Sequence, residues 1–272
     1  MDRKTGKIIR HIKIGENPEF VRIRGNQAFV SFEPASVGGP PPKPGSKEAQ
    51  ALAQQREEEN EEPAKIAIVD LKKGKILREI TGGMETEGIE FSADGKKILI
   101  TNEADENVTV HDIASGKLLK TISTKEYGNR PRGIKRAPNG NYYVASIEYG
   151  DKLVVIDGDF NVKKVVSTGS VPYGLAFDRS GKHLYVALSK AKALQVFDTA
   201  TWETVKNIPT GDRCWHFTFT PDDSEILVAC GRSNEVVVID AKTMEPVKRI
   251  DEKKLPWGIV TYPKSVGSLD MP

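Results

Sequence analysis

Seven side chains able to do chemistry, Glu19, Glu87, Arg132, Tyr173, Trp215, His216 and Trp257, fall in six short segments of one type. The segments are Pro18-Glu19-Phe20, Thr86-Glu87-Gly88, Pro131-Arg132-Gly133, Pro172-Tyr173-Gly174, Cys214-Trp215-His216 and Pro256-Trp257-Gly258. Two tryptophans and a tyrosine offer flat apolar surface, while one arginine and two glutamates offer directional polar contacts. If the six segments converge, that is the composition of a small-molecule or peptide pocket. The competing reading, in which the aromatics plug a channel and Arg132 pairs with a glutamate, stays open. His216 has the chemistry of a general base or a haem ligand. It has no histidine or cysteine partner in the set, so it reads as a hydrogen-bonded wall residue. A metal-dependent hydrolase needs several converging carboxylates, and two of six positions supply one. No catalytic and no metal-ligating residue is therefore assigned, and the cofactor is unknown.

Convergence demands a repeating fold, and the chain has one. Val69-Asp70, His111-Asp112, Ile156-Asp157, Phe197-Asp198 and Ile239-Asp240 each close a short apolar run, at intervals of 42, 45, 41 and 42 residues. Within one unit, Gly88–Phe91, Lys97–Thr101, Val108–His111 and Leu118–Ile122 alternate as strands do, with turn residues between them. Four strands in about 42 residues predict an all-β fold, a β-propeller of four-stranded antiparallel blades. Five blades are expected to be complete. Ile8 to Ile14 match a fourth strand and Pro256 to Thr261 a first strand, which predicts a partial closing blade shared by the two ends. The sequence thus reads as a chain shortened at its N-terminus, from a six- or seven-bladed parent. In such a ring the six entry segments, and the loops carrying Glu103, Glu148, Lys190 and Arg232, share one axial face. His11, His111 and His183 fall on outer or middle strands, where packing or solvent roles are expected.

The repeat resembles the YVTN-type propeller family. The marks are Pro172-Tyr173-Gly174-Leu175-Ala176-Phe177, Ser180-Gly181-Lys182-His183-Leu184-Tyr185-Val186-Ala187 and Val196-Phe197-Asp198. The closing Tyr262 to Asp270 is similar to secreted members encoded beside pyrroloquinoline-quinone-dependent alcohol oxidation systems. The resemblance implies an exported binding or accessory protein without an assigned reaction, periplasmic or secreted. Read from the chain alone, with Asp2 and Arg3 following Met1, the protein would stay in the cytoplasm.

Composition narrows the classes. Apolar residues make up 38% and charged residues 29% of 272, enough for a distributed core in one domain. No apolar run reaches the roughly eighteen residues of a membrane span. Forty basic and 38 acidic residues, interspersed, give a formal charge of +2, which does not indicate nucleic-acid binding. Walker, HExxH and dinucleotide motifs are absent, and Asp105 and Asp151 are too scattered for a calcium loop. Cys214 and Cys230 bound one inner hairpin, one residue out of register. They read as two small buried residues, unless a bulge lets them pair.

Residues 33–64 break the period. The Pro/Gly-rich stretch from Glu33 to Gly45 reads as a tether, Ser46 as the N-cap of a helix to Arg56, and Glu57 to Glu62 as an acidic run. Such an insertion lids the central opening, docks a partner, or is a tolerated surface loop. The expectation is a non-catalytic propeller that binds a small molecule or a partner protein on its axial face. The alternative is an enzyme, either a lactonase-like hydrolase or a cofactor-bearing oxidoreductase.

Overall fold

A computed structural model of the chain describes residues 2, 4–33, 46–48, 50–51, 62–138, 142–251 and 254–263. Twenty strands form five four-stranded antiparallel sheets, each ordered as the chain runs. Blade one holds β1 (Glu16–Arg24), β2 (Gln27–Glu33), β3 (Lys65–Asp70) and β4 (Lys75–Thr81). Blade two holds β5 (Thr86–Phe91), β6 (Lys97–Asn102), β7 (Asn107–Asp112) and β8 (Leu118–Ser123). Blade three holds β9 (Pro131–Arg136), β10 (Tyr142–Ile147), β11 (Lys152–Asp157) and β12 (Val162–Ser167). Blade four holds β13 (Pro172–Phe177), β14 (His183–Leu188), β15 (Ala193–Asp198) and β16 (Thr204–Pro209). Blade five holds β17 (Cys214–Phe219), β18 (Glu225–Cys230), β19 (Glu235–Asp240) and β20 (Glu245–Asp251). The fold is an all-β propeller, and the inner strands β1, β5, β9, β13 and β17 pack in sequence around its hub.

The core lies between blades because a lone sheet cannot bury both faces. Phe29, Ile66 and Ile68 of blade one meet Ile89, Phe91 and Ile98 of blade two. The same join recurs between blades two and three, three and four, and four and five. Each such side chain contributes about 1.5–3 kcal/mol when it leaves water. The fifth cluster, Ala28, Val30, Phe32, Ala67 and Val69, packs instead against Ile12 and Ile14. Polar links reinforce the rim. Arg78 donates to the Ala114 carbonyl of the next blade, Lys120 to that of Asp159 at 3.1 Å, and Lys206 to that of Thr243 at 3.3 Å. Arg10 makes the equivalent bond to the Lys72 carbonyl at 3.2 Å.

Two expectations are corrected. Residues 8–14 and 256–261 are described, yet neither forms a strand, and the described residues form no closing blade. A strand needs a hydrogen-bonding neighbour, and within the described residues neither segment has one. Second, Cys214 and Cys230 are bonded to each other. A bulge between Cys214 and His216 shifts the ladder so that Cys214 faces Cys230, the one-residue adjustment that simple register counting leaves out.

Of the 33–64 insertion, only 33, 46–48, 50–51 and 62–64 are described. There the Gln50 amide donates to the Ser46 carbonyl at 3.1 Å, one helical turn starting at the expected cap. The tether, the rest of that helix and the acidic run lie outside the described residues, as does the Lys264–Asp270 stretch behind the alcohol-oxidation likeness. Among the described residues, no helix is long and apolar enough to cross a membrane.

Candidate functional site

Every inner strand is entered through a strained bend. Asn17, Glu85, Arg130, Val171 and Arg213 all have φ between 41° and 64°, and Leu255 repeats the bend at 42°. For β-branched Val171 this is costly and must be held by its surroundings. A register irregularity follows in all five inner hairpins. Bend and bulge together turn the entry side chain toward the hub, and the residue three positions on as well. Two layers result, one of entry residues and one containing Arg22, Glu90, Lys135, Ala176 and Thr218.

In the entry layer, Arg132 is the electrostatic centre. Its guanidinium meets Glu87 and Glu103, and its Nε lies 2.6 Å from Glu148 Oε2. Arg130 also pairs with Glu103, and its Nε is 3.5 Å from Glu148. Burial works against the Arg132 charge, but Glu87 and its neighbours outweigh it and hold the pKa well above the ordinary value. The Arg132 guanidinium stacks 4.8 Å over the Tyr173 ring. Burial, then Glu87, push the Tyr173 hydroxyl well up. Glu103 rises to about 9, because burial and Glu87 exceed the pull of Arg132.

His216 occupies a different setting. Its ring centroid lies 4.5 Å from that of Trp257, 5.4 Å from Tyr173 and 6.2 Å from Phe20. Only 6% of the residue is exposed, and among the described residues neither ring nitrogen has a hydrogen-bond partner. Burial, aided by Arg132, lowers its pKa to about 3, so the imidazole is neutral across the physiological range. The expectation of a hydrogen-bonded wall residue is therefore corrected: a wall of aromatic rings surrounds it, and no bond is made.

Glu19 is the least neutralised carboxylate. The Asn17 amide bridges it to Glu33, 2.9 Å on each side. Burial first, then Glu87 and Glu33, raise Glu19 to about 7. Trp215 packs beside this group, against Gly231, with Arg213 5.6 Å over its ring. Trp257 is half-buried on residues 254–261. That segment is tied down by the Leu255 amide to Asn234 Oδ1 at 3.0 Å and by Thr261 Oγ1 to the Phe219 carbonyl at 2.9 Å. Glu87, Arg132, Tyr173, His216 and Trp257 thus form one chain of contacts, Glu19 is coupled to it through Glu87, and Trp215 stands beside it.

Of the loop charges, Glu103 and Glu148 are buried in the network, while Lys190 and Arg232 are exposed. His11 is exposed, His111 is buried with Nδ1 3.3 Å from the Gly116 carbonyl, and His183 pairs with Asp178 at 2.8 Å. Sequence reasoning missed Glu33, which aligns with Glu103 and Glu148 at the end of the second strand. It also missed the lower layer, where Arg22 meets Glu90 at 2.9 Å and Lys135 approaches at 4.0 Å. Counting three residues on from each entry position finds that layer. A recess of about 320 Å³ opens between blades two and three, lined by Glu85, Glu103, Ala104, Glu106, Asn129 and Arg130. Among the described residues, no three His, Cys, Asp or Glu side chains stand close enough to share a metal ion.

No family model and no curated protein matches the chain. Solved structures do. A functionally unknown protein from Desulfotomaculum acetoxidans DSM 771 is 16% identical, with TM-score 0.68, over 89% of this chain and 74% of that one. Hydrazine synthase of Kuenenia stuttgartiensis is 20% identical, with TM-score 0.64, over 92% and 71%. A Bacteroides uniformis ATCC 8492 protein to which 6-phosphogluconolactonase activity is ascribed is 16% identical, with TM-score 0.67, over 89% and 73%. At these identities the likeness establishes the propeller fold, and three such different neighbours leave the function undetermined.

Proposed function

We propose that the chain is a binding propeller that takes a small ligand at the hub of its axial face. One observation carries this reading: a buried imidazole whose two nitrogens are unpartnered among the described residues, set among Phe20, Tyr173 and Trp257. Buried polar atoms are nearly always paired, so an orphaned donor and acceptor at a hub mark a place where a partner group fits. Arg132, by contrast, is spent on three glutamates of the fold. That pattern supports recognition over catalysis. The enzyme alternative draws on Glu19, whose elevated pKa suits a general acid at neutral pH.

Export fits the paired cysteines, since disulfides persist in oxidising compartments. The YVTN-type likeness rests on the motifs around Pro172 to Asp198. A thermal-shift screen of a chemically mixed small-molecule set tests the hub assignment. Hits should shift the wild type and lose their shift in His216→Phe and Trp257→Ala. Hits that survive both substitutions would place the binding elsewhere.

A further inference from the structure

Resting on that hub reading, we propose that the ligand is a protonated primary amine carrying an apolar, preferably aromatic, body. Its ammonium group is held by Glu19 and His216, and its body lies against Phe20 and Trp257.

The charges around the hub argue for a cation. Around the hub stand Glu19 and Glu33 of blade one, joined by Asn17, with Glu87 and Glu103 of blade two and Glu148 of blade three, joined by Arg132. The guanidiniums within ion-pair reach of these carboxylates are Arg130, Arg132 and Arg213. Arg132 is committed to Glu87, Glu103 and Glu148, and Arg130 to Glu103 and Glu148. Arg213 is 3.9 Å from Glu148. Among the described residues, Glu19 and Glu33 receive only the neutral Asn17 amide. With Glu103 holding a proton to about pH 9, four carboxyls remain against three guanidiniums, and Glu19 compensates by holding its own proton to about pH 7. An ammonium ion would replace that proton.

The imidazole argues for an N–H donor. His216 is neutral, so one of its nitrogens is an acceptor with nothing to accept from. A primary ammonium supplies three donors, and a quaternary one supplies none. The rings beside His216 argue for the apolar body, because aromatic faces attract both a cation and hydrocarbon surface. A bare metal ion fits less well, since no three metal-ligating side chains converge among the described residues.

Three probes with one hydrocarbon frame decide the matter: 2-phenylethylamine, 2-phenylethanol and phenylacetate, titrated by calorimetry into the full chain. The amine should bind at least about tenfold more tightly than the alcohol, a difference of about 1.4 kcal/mol, with phenylacetate weakest. Its affinity should rise about tenfold from about pH 6 to about pH 8, as Glu19 gives up its proton while the amine, like a lysine, stays charged. Glu19→Gln should flatten that profile, and His216→Phe should weaken binding at every pH. Circular dichroism checks that both variants fold; the wild-type pH profile and probe ranking stand without them. Equal affinity for amine and alcohol, or an amine affinity flat with pH, overturns the proposal. If the alcohol binds and His216→Phe abolishes it, the amine class falls and the hub reading survives. If none of the three binds, the amine class falls, and the wider screen alone then decides the hub.

Discussion

His216 stands at the repeat position that Gly174 holds one blade earlier, and the two residues touch. A Cβ on Gly174 would lie 2.9 Å from His216 Nδ1 and 2.5 Å from the Trp215 carbonyl oxygen. Gly88 and Gly133 face the Arg132 and Tyr173 carbonyls in the same way, at 2.5 and 2.8 Å. In blades two to four the entry carbonyl of the next blade presses on this position and glycine holds it, whereas blade one carries Phe20 there and blade five His216. After blade five comes only the strandless segment 254–261, and the position accommodates a histidine. The candidate site thus exists where the repeat is interrupted.

Gly174→Ala should therefore cost about 2–3 kcal/mol, since backbone on one side and an aromatic cluster on the other leave little room to relax. Gly133→Ala should behave alike. Gly258→Ala, with nothing within 4 Å of its added carbon, should leave the urea midpoint almost unmoved. Equal midpoint shifts for Gly174 and Gly258 would remove the packing argument.

The Cys214–Cys230 bond closes a loop of 16 residues inside blade five. Loop-closure entropy for that length is worth about 3 kcal/mol. The double variant Cys214→Ala/Cys230→Ala should melt well below the wild type, and reductant should lower only the wild-type midpoint. Indifference of the wild type to reductant would show that the pair contributes nothing to the fold.

Period, strand boundaries and entry residues were legible because a two-residue alternation and recurring turn chemistry are local properties. Lys97–Asn102 and Leu118–Ser123 fall within a residue or two of expectation for that reason. The cysteine pairing was not legible, because it depends on a bulge, and a bulge is invisible to alternation. Nor was the company of Arg132: Glu103 and Glu148 end second strands and reach it only after blades two and three dock. His216 differs again. Its departure from glycine shows in the alignment, but that its nitrogens are left unpaired follows from what surrounds it.

Glu19 should make stability depend on pH with a definite sign. Its pKa is raised on folding, from 4.5 to about 7, so the folded state binds the proton more tightly than the unfolded one. The resulting stabilisation is complete below about pH 4.5 and is lost as pH rises through about 7. Relative to Glu19→Gln, the wild type should lose ground over that window and hold a constant offset above it. Denaturation midpoints of both proteins at several pH values measure this. A gap that narrows with rising pH would reverse the assigned sign.

Arg132 and Trp257 both belong to the hub, yet their removal should have opposite consequences. Arg132 is 5% exposed and neutralises Glu87, Glu103 and Glu148 together. Removing one partner of a buried ion pair typically costs about 3–5 kcal/mol, because the stranded charges stay buried. Arg132→Met should pay that cost near neutral pH and less of it in acid, where carboxyls protonate. Adding Glu148→Gln should recover part of the loss. Trp257 sits half-buried on a segment held by two hydrogen bonds, so Trp257→Ala should change stability little. Chemical denaturation of the three variants, followed by far-UV dichroism, separates the cases. A Trp257→Ala protein as unstable as Arg132→Met would make that tryptophan a structural plug and remove it from the ligand site.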